Sequence, residues 1–178
     1  MRWIYWKRNG GTTPRLCLPS SSRQGSRVGI KWSASSFGAA KFNVNSAARR
    51  KLGLAGFGGA LRDHFGKILM LFSRSLGIMD SNEPELKAIV MALQIYACSR
   101  WRNLFSLIVE LNSRTVISWW FNHTNRPRKF WVDLYKTIDA ICLKLNCVAF
   151  DNVFREANNL VDALVNGDTG RNSLLQVC

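Results

Sequence analysis

Three strand-like segments follow one another between residues 41 and 77, joined by connections too short for a crossover helix. They cover residues 41–45, 55–63 and 66–77, and the last two meet in the turn Asp-His-Phe-Gly. Parallel neighbours need a crossover of about a dozen or more residues, so these strands are expected to pair antiparallel. Glycine pairs in the second segment predict a bulge or a close backbone approach. This part of the chain therefore predicts an antiparallel meander.

Helical and strand patterns alternate after the meander. Pro84 suits the first turn of a helix, and apolar residues follow it at helical spacing to about residue 100. The apolar run 104–112 has the length of a buried parallel strand. The remaining segments are a short helix at 113–121, a longer helix at 130–145, a fifth strand at 147–154 and a last short helix at 158–165. This order predicts an α/β fold with a mixed five-stranded sheet and helices on both faces.

Basic residues are concentrated in the first third of the chain. Of the 25 Lys and Arg, 12 lie in residues 1–62, which contain no Asp or Glu. The remaining 13 share the rest of the chain with all 11 acidic residues. Such asymmetry predicts a polyanionic partner or a targeting segment, and the alternative is an unselected leader in a degraded gene copy.

The same pattern divides the chain into three parts. We expect a poorly ordered basic leader at 1–30, one domain at 31–166 and a polar tail at 167–178. The Arg- and Ser-rich composition of residues 1–40 also fits an organelle transit peptide, with nucleus or cytoplasm as the default location. No run of 18 apolar residues occurs, so no membrane span is expected.

The five cysteines are widely spaced and form no zinc-binding pattern with the two histidines. An odd number of cysteines without a secretory leader predicts reduced thiols inside a cell. Cys98 and Cys142 lie in apolar stretches and are predicted to belong to the core.

Four motifs, in order, carry a resemblance to a known family. They are KFNVN at 41–45, NEPELKAI at 82–89, VELNS at 109–113 and VFREANNLVDAL at 153–164. With these motifs, residues 31–166 resemble a ribonuclease H type 1 domain of the reverse-transcriptase-like kind found in plant retroelements. The resemblance implies metal-dependent endonucleolytic cleavage of the RNA strand of an RNA–DNA hybrid by a monomer.

The resemblance also implies a site of four carboxylates that hold two magnesium ions. Two ions of this kind stabilise the attacking and leaving oxygens of an in-line displacement, and magnesium requires hard oxygen ligands. Two of the four positions hold acids, Glu85 and Asp162, and two hold amides, Asn45 and Asn112. A family histidine that assists turnover falls on Asn152. We therefore expect weakened Mg²⁺ or Mn²⁺ binding.

Other residues are predicted at the edges of this site. Glu110 lies two residues before Asn112 on the same strand face and is the candidate substitute ligand, with an ordinary neighbouring role as the alternative. Ser81 and Asn82 fall where the family touches the minor groove of a hybrid, although helix capping would also explain them. The aromatic and basic segment 119–131 predicts nucleic-acid contacts through Arg126, Arg128 and Lys129. The alternative is that Trp119 and Trp131 belong to the core and the cations are merely solvated.

Three functions remain open from the sequence. The first is a domain that binds RNA–DNA hybrid or double-stranded RNA through backbone and 2′-hydroxyl contacts, with little or no cleavage. The second is an active ribonuclease that uses Glu85, Asp162 and the substitute Glu110. The third is a decayed retroelement fragment or a protein-interaction module.

Overall fold

A seven-stranded mixed sheet forms the centre of the structure, which is a computed structural model. It describes residues 3–4, 6–7, 16–17, 30–48, 52–80, 82–127, 131–145, 147–167 and 175–177. The strands are β1 (Trp3–Ile4), β2 (Trp6–Lys7), β3 (Leu16–Cys17), β4 (Ala39–Ala48), β5 (Leu52–Arg62), β6 (Ile68–Asp80), β7 (Ser106–Leu111), β8 (Cys147–Asn152) and β9 (Leu175–Val177). The helices are α1 (Asn82–Cys98), α2 (Arg114–Phe121), α3 (Val132–Lys144) and α4 (Asn159–Gly167). The order in the large sheet is β2-β8-β7-β4-β5-β6-β9, while β1 pairs with β3 separately.

The meander predicted from the sequence is confirmed in β4, β5 and β6, which pair antiparallel. β5 and β6 are longer than expected because they pair with each other as far as Leu52 and Asp80. The register between them shifts at Ala55/Gly56 and again at Leu61/Arg62. The glycine-rich strand therefore contains the predicted irregularity.

The second half of the fold is parallel. β7 runs parallel to β4, and β8 runs parallel to β7. Both strands are preceded by helices, which supply the crossover connections that parallel neighbours need. The first of these, α1, is followed by a 3-10 turn at Arg100–Asn103. Because β4 and β7 are parallel, their carboxyl ends lie at the same edge of the sheet.

Helices cover both faces of the sheet, as predicted. On one face, α1 and α3 pack on strand residues such as Phe42, Val109 and Phe150, which are all at most 2% exposed. On the other face, α4 packs Val161 and Val165 against β5. Alternate residues of one strand therefore face different layers. On β4, Phe42 and Val44 belong to the apolar core, whereas Lys41, Asn43 and Asn45 are buried polar residues.

The structure adds elements that the sequence pattern did not indicate. Two short edge strands, β2 and β9, extend the five central strands. β9 lies in the predicted polar tail, and β1, β2 and β3 are the described parts of the predicted leader. Cys142 is buried as predicted, whereas the prediction for Cys98 is wrong, because this last residue of α1 is exposed. No helix among the described residues is long and apolar enough to cross a bilayer.

Candidate metal and nucleic-acid site

The four positions predicted for metal binding come from four different elements. Asn45 lies on β4 and Glu85 in the first turn of α1. Asn112 directly follows β7, and Asp162 lies in the first turn of α4. Asn45, Glu85 and Asn112 line one small cavity. Asp162 joins them because its Oδ1 accepts a hydrogen bond of 2.9 Å from Nδ2 of Asn45. The fold therefore brings all four positions together.

A glycine on β5 lets α4 approach the sheet closely enough for this contact. Gly58 pairs with Asn45 across β4 and β5. A Cβ at Gly58 would lie 2.9 Å from a Val165 methyl carbon and 2.9 Å from the Phe72 carbonyl oxygen, which is closer than real Cβ atoms come. Val165 lies one helical turn after Asp162, so the packing of α4 on Gly58 positions the Asp162 carboxylate over Asn45.

Protein donors already surround the Asp162 carboxylate. Its Oδ1 accepts hydrogen bonds from Nε of Arg155 at 3.1 Å and from a terminal guanidinium nitrogen of the same residue at 2.8 Å. Asn45 donates the third hydrogen bond to this oxygen, and Asn166 donates to Oδ2 at 3.1 Å. An arginine cation and one amide thus occupy Oδ1, and a second amide takes one side of Oδ2, so a metal ion at Oδ1 would have to displace protein donors.

Asn45 is held in an orientation that suits this arrangement. Its Oδ1 accepts a hydrogen bond of 2.9 Å from the backbone N–H of Ser46, so its amide nitrogen faces Asp162. The residue is only 4% exposed. An aspartate at this position would instead direct a second carboxylate oxygen at Asp162. The amide therefore removes a charge repulsion that Arg155 alone would offset only in part.

Glu85 is the second remaining carboxylate. Burial raises its pKa to about 7, and a hydrogen bond with Ser113 offsets this only partly. Its Oε2 is buried and has no hydrogen-bond partner among the described residues. At neutral pH, Glu85 therefore holds its proton more readily than an ordinary glutamate and supplies less negative charge.

Asn152 occupies the position of the family histidine. Its Nδ2 donates a hydrogen bond of 3.1 Å to the carbonyl of Leu111, the neighbouring residue in the β7–β8 ladder. This contact places Asn152 beside the end of β7, where Asn112 begins the connection to α2. An amide cannot take up and release a proton near neutral pH as a histidine does.

These residues do not fit two magnesium ions. Two such ions carry a charge of +4, whereas the four positions contain only two carboxylates, one of which is paired with Arg155. In the part of the chain that the structure describes, no group of three His, Cys, Asp or Glu residues is arranged to hold a metal ion. Enzymes of this type use the metal ions to stabilise charge on both reacting oxygens. The donor set of this chain does not support a cleavage step through two such ions.

Glu110, the candidate substitute ligand, is part of a separate buried network. It is 2% exposed, and its Oε1 forms an ion pair of 2.7 Å with Lys41. Its Oε2 accepts hydrogen bonds from Asn43 at 2.6 Å and from the indole nitrogen of Trp32 at 3.1 Å. Both carboxylate oxygens are therefore engaged by protein groups.

The network extends to one further buried acid, Asp151, which pairs with Glu110 in the β7–β8 register. Burial raises the pKa of Asp151 to about 6, and the charge of Glu110 adds to this shift. The sequence did contain a signal for the network, because Lys41, Asn43 and Asn45 alternate with apolar residues on β4. Because of this alternation, one face of β4 carries buried polar residues and the other face contributes to the apolar core.

Arg126, predicted to contact nucleic acid, is enclosed by the protein. Two terminal nitrogens donate to the Asp139 carboxylate at 2.7 and 3.2 Å, and Nε donates to the Trp119 carbonyl at 3.1 Å. The guanidinium also lies 4.9 Å from the ring centre of Tyr135 and 5.4 Å from that of Trp120. Its side chain is 9% exposed. These contacts support the fold of the loop between α2 and α3.

The other predicted nucleic-acid contacts are only partly described. Ser81, Arg128 and Lys129 lie outside the described residues. Asn82 is the first residue of α1, three residues before Glu85. Arg155, which the motifs did not place in the site, contacts it from the 3-10 turn before α4. No sequence signal identified that contact, because it depends on where the turn directs the side chain.

The fold identifies the class to which this domain belongs. Three solved structures are similar over most of their lengths. Ribonuclease H1 LC11, isolated from compost by a metagenomic approach, has 22% identity and a TM-score of 0.66 over 73% of this chain and 94% of that one. The ribonuclease H domain of Rv2228c from Mycobacterium tuberculosis has 17% identity and a TM-score of 0.65 over 74% of this chain and 93% of that one. Ribonuclease H1 from Halobacterium salinarum has 22% identity and a TM-score of 0.59 over 72% of this chain and 96% of that one. At these identities the similarity concerns the fold, which is that of ribonuclease H type 1.

The family assignment is more specific. A profile of the family described as "Reverse transcriptase-like" matches residues 43–167, and the chain belongs to this family. No curated protein sequence matches the chain. The family resemblance and the ribonuclease H type 1 fold predicted from the four motifs are thereby confirmed, and the plant retroelement origin stays a prediction.

Proposed function

We propose that this chain is a ribonuclease H-like domain that binds RNA–DNA hybrid and has lost most or all of the cleavage activity. Binding is supported by the fold, because the similar LC11 enzyme has been solved in complex with an RNA/DNA hybrid. Loss of cleavage is supported above all by Asp162, whose carboxylate accepts hydrogen bonds from Arg155, Asn45 and Asn166. We expect the domain to bind as a monomer and to have low affinity for Mg²⁺ or Mn²⁺.

Exposed cations beside the site suit contacts with a phosphate backbone. Arg114 is exposed and begins α2 two residues after Asn112. Arg155 is 66% exposed at its side chain and lies beside Asp162. Removing one phosphate contact should reduce the slope of log affinity against log salt by about 0.9 for a duplex. Recognition through backbone and 2′-hydroxyl groups does not require the metal ligands.

Binding is tested with the full chain and a fluorescein-labelled RNA–DNA hybrid by anisotropy at several salt concentrations. Arg114→Ala should weaken binding several-fold and reduce the salt slope by about one. Lys136→Ala is the matched control, because Lys136 is exposed on α3, a helix that contributes none of the four site positions. Wild-type binding that does not respond to salt, or equal effects of both substitutions, would contradict the proposed binding surface.

Cleavage is tested with end-labelled hybrid in Mg²⁺ and then in Mn²⁺. The wild-type chain should leave the hybrid intact, whereas the double revertant Asn45→Asp/Asn112→Asp should cut it. Asn125→Asp, which adds an exposed charge outside the site, serves as the control for charge. If the wild-type chain cuts and Glu85→Gln abolishes the activity, the loss of cleavage is refuted.

That result would establish the second candidate, an active ribonuclease. One observation favours it: Oε2 of Glu85 is buried without a hydrogen-bond partner among the described residues, and a bound cation would satisfy it. Cleavage that survives Glu85→Gln would indicate contamination. A chain that shows no cooperative melting transition would instead support the decayed fragment, the third possibility from the sequence.

A further inference from the structure

An exposed aromatic patch lies at the end of the sheet opposite the candidate metal site. Phe37 is 88% exposed and Phe65 is 82% exposed. The His64 ring lies between them, with ring-centre distances of 4.8 Å to Phe37 and 4.1 Å to Phe65. Phe37 precedes β4, whereas Asn45 lies well along that strand, so about 20 Å separates the patch from the metal site.

The turn between β5 and β6 holds the Phe65 ring outward. The Asp63 carboxylate accepts hydrogen bonds from the backbone N–H groups of Phe65 and Lys67, which closes the turn between β5 and β6. Gly66 completes that turn with a φ of +82°, a conformation that side-chain-bearing residues rarely adopt. Asp63 itself is 9% exposed. The exposure of Phe65 is therefore imposed by a well-bonded turn.

The histidine in the patch lacks polar partners. Both ring nitrogens of His64 are buried, and neither has a hydrogen-bond partner within the described part of the chain. A third ring, Phe105, lies 5.9 Å from the His64 ring centre. Burying an imidazole without hydrogen bonds costs free energy, and so does leaving two phenylalanine rings in water. The cost of the exposed phenylalanine rings would fall if a flat ligand covered the patch.

The charge around the patch is positive. Three segments carry or flank the rings of the patch, residues 30–38, 62–68 and 100–106, and together they contain five Lys or Arg and one acid. The acid is Asp63, whose carboxylate is used within the turn. Lys31, Lys67, Arg100 and Arg102 are all exposed. Exposed rings bordered by cations without exposed acids favour a ligand that is both aromatic and anionic.

We infer that this Phe37–Phe65 patch binds single-stranded nucleic acid by stacking bases on the two phenylalanines. Unpaired bases stack on aromatic side chains with little regard to sequence, while nearby cations follow the phosphates. A duplex keeps its bases stacked internally and offers no free face to these rings. The patch therefore binds an unpaired strand. This binding does not depend on whether the candidate metal site binds a hybrid.

The test measures binding of a labelled 20-nucleotide oligo-dT to the full chain by anisotropy. Phe37→Ala/Phe65→Ala should weaken binding at least tenfold, because each base that no longer stacks costs several-fold or more in affinity. Leu143→Ala is the matched control, since Leu143 is 47% exposed on α3, and it should change affinity by less than twofold. Phe37→Tyr/Phe65→Tyr should retain wild-type affinity.

Independent measurements distinguish base stacking from purely ionic binding. An oligonucleotide containing 2-aminopurine should lose fluorescence on binding the wild-type chain and not on binding the double alanine variant. Lys31→Gln/Lys67→Gln should reduce the slope of log affinity against log salt by roughly 1.4, the value for two phosphate contacts on a single strand. Hybrid binding should keep its dependence on Arg114 in the double alanine variant.

Three results would overturn the inference. The first is oligo-dT binding that the double alanine substitution changes by less than twofold. The second is an equal loss with Leu143→Ala. The third is a wild-type dimer in light scattering that the double alanine substitution abolishes, because the patch would then be an interface between two copies of the chain. If hybrid binding fails while oligo-dT binding depends on Phe37 and Phe65, only the proposed function is refuted.

Discussion

Asn45→Asp is the most informative single substitution, because it recreates the acid that a metal-binding site would need. In the present structure Nδ2 of Asn45 lies 2.9 Å from Oδ1 of Asp162. A carboxylate at position 45 would replace this hydrogen bond by a repulsion between two anions. Without a metal ion, we therefore expect Asn45→Asp to destabilise the fold.

The magnitude follows from the distance and the charges. Two unit charges about 4 Å apart repel by roughly 4 kcal/mol at an effective dielectric constant of about 20. A hydrogen bond to a charged group contributes roughly 1.5–3 kcal/mol, and the substitution removes it. Arg155 already pairs with Asp162, whose side chain is 24% exposed, so ion pairing and solvent together offset more than half of these two terms. We expect a net loss of about 2–3 kcal/mol at pH 8, or a melting temperature lower by roughly 5–10 °C.

The pH dependence has a definite sign. Repulsion raises the pKa of one of the two carboxylates in the folded state above its value of about 4 in the unfolded chain. The penalty is therefore absent below about pH 4, where the proton is bound in both states, and it grows as the pH rises through the folded-state pKa. The difference between Asn45→Asp and wild type should shrink between pH 8 and pH 4.

The assay is urea unfolding followed by the fluorescence of the tryptophans, at pH 8 and pH 4, with EDTA and with millimolar Mg²⁺. Asn125→Asp is the control, because it adds the same charge at an exposed position and should change stability by less than about 0.5 kcal/mol. Mg²⁺ should stabilise only Asn45→Asp, since only there does a bound cation relieve repulsion. If Asn45→Asp is as stable as wild type in EDTA at pH 8, the amide is not compensating for a missing cation.

Three further substitutions test other parts of the structure. Arg126→Ala should destabilise the fold by about 1–3 kcal/mol and should change hybrid affinity by less than twofold. The main loss is the packing of the buried guanidinium on Tyr135 and Trp120 and its hydrogen bond to the Trp119 carbonyl, because Asp139 is 36% exposed and can be hydrated. Asp151→Asn should reduce the loss of stability between pH 4 and pH 7. Burial raises the folded-state pKa of Asp151 to about 6, so the unfolded chain releases this proton at a lower pH than the folded chain does. The free energy of unfolding of the wild-type chain therefore falls by about 2–3 kcal/mol over this pH range. Gly58→Ala should cost about 1–3 kcal/mol, because a Cβ there overlaps Val165 of α4.

Controls for these three use the same unfolding measurement. Lys136→Ala removes an exposed cation from α3 and should be neutral, in contrast to Arg126→Ala. A stable Arg126→Ala chain that no longer binds hybrid would support the nucleic-acid contact predicted from the sequence. An unchanged pH profile in Asp151→Asn would show that the carboxyl group titrates normally. A Gly58→Ala chain of wild-type stability would mean that α4 does not pack tightly at this position.

Local patterns in the sequence were sufficient for the meander, the five central strands and the helices on both faces. Those patterns work because each strand or helix must present its own apolar residues to a core, and the spacing of those residues is visible in the chain. The ends of β5 and β6 did not follow from these patterns, since the two strands extend by pairing with each other to Leu52 and Asp80. The edge strand β9 had no such signal, because three residues carry almost no pattern.

In the candidate site, too, the sequence determined the residue types, and the tertiary structure determined their partners. The amides at 45 and 112 and the acids at 85 and 162 were assigned from motifs, and the structure brings these four positions together. The partners of these groups depend on contacts between residues far apart in the chain. Arg155 reaches Asp162 through the turn before α4, and Glu110 is held by Lys41 across two strands.

The chemistry available to this protein was therefore decided at two levels. The order of residue types determines which elements form and how many carboxylates the site can contain, since both are local properties of the chain. Whether a given charge is free, neutralised or enclosed depends on the packing of distant segments. Arg126 illustrates this, because an arginine among tryptophans suits a nucleic-acid surface in sequence, while in the fold Asp139, Tyr135 and Trp120 surround it.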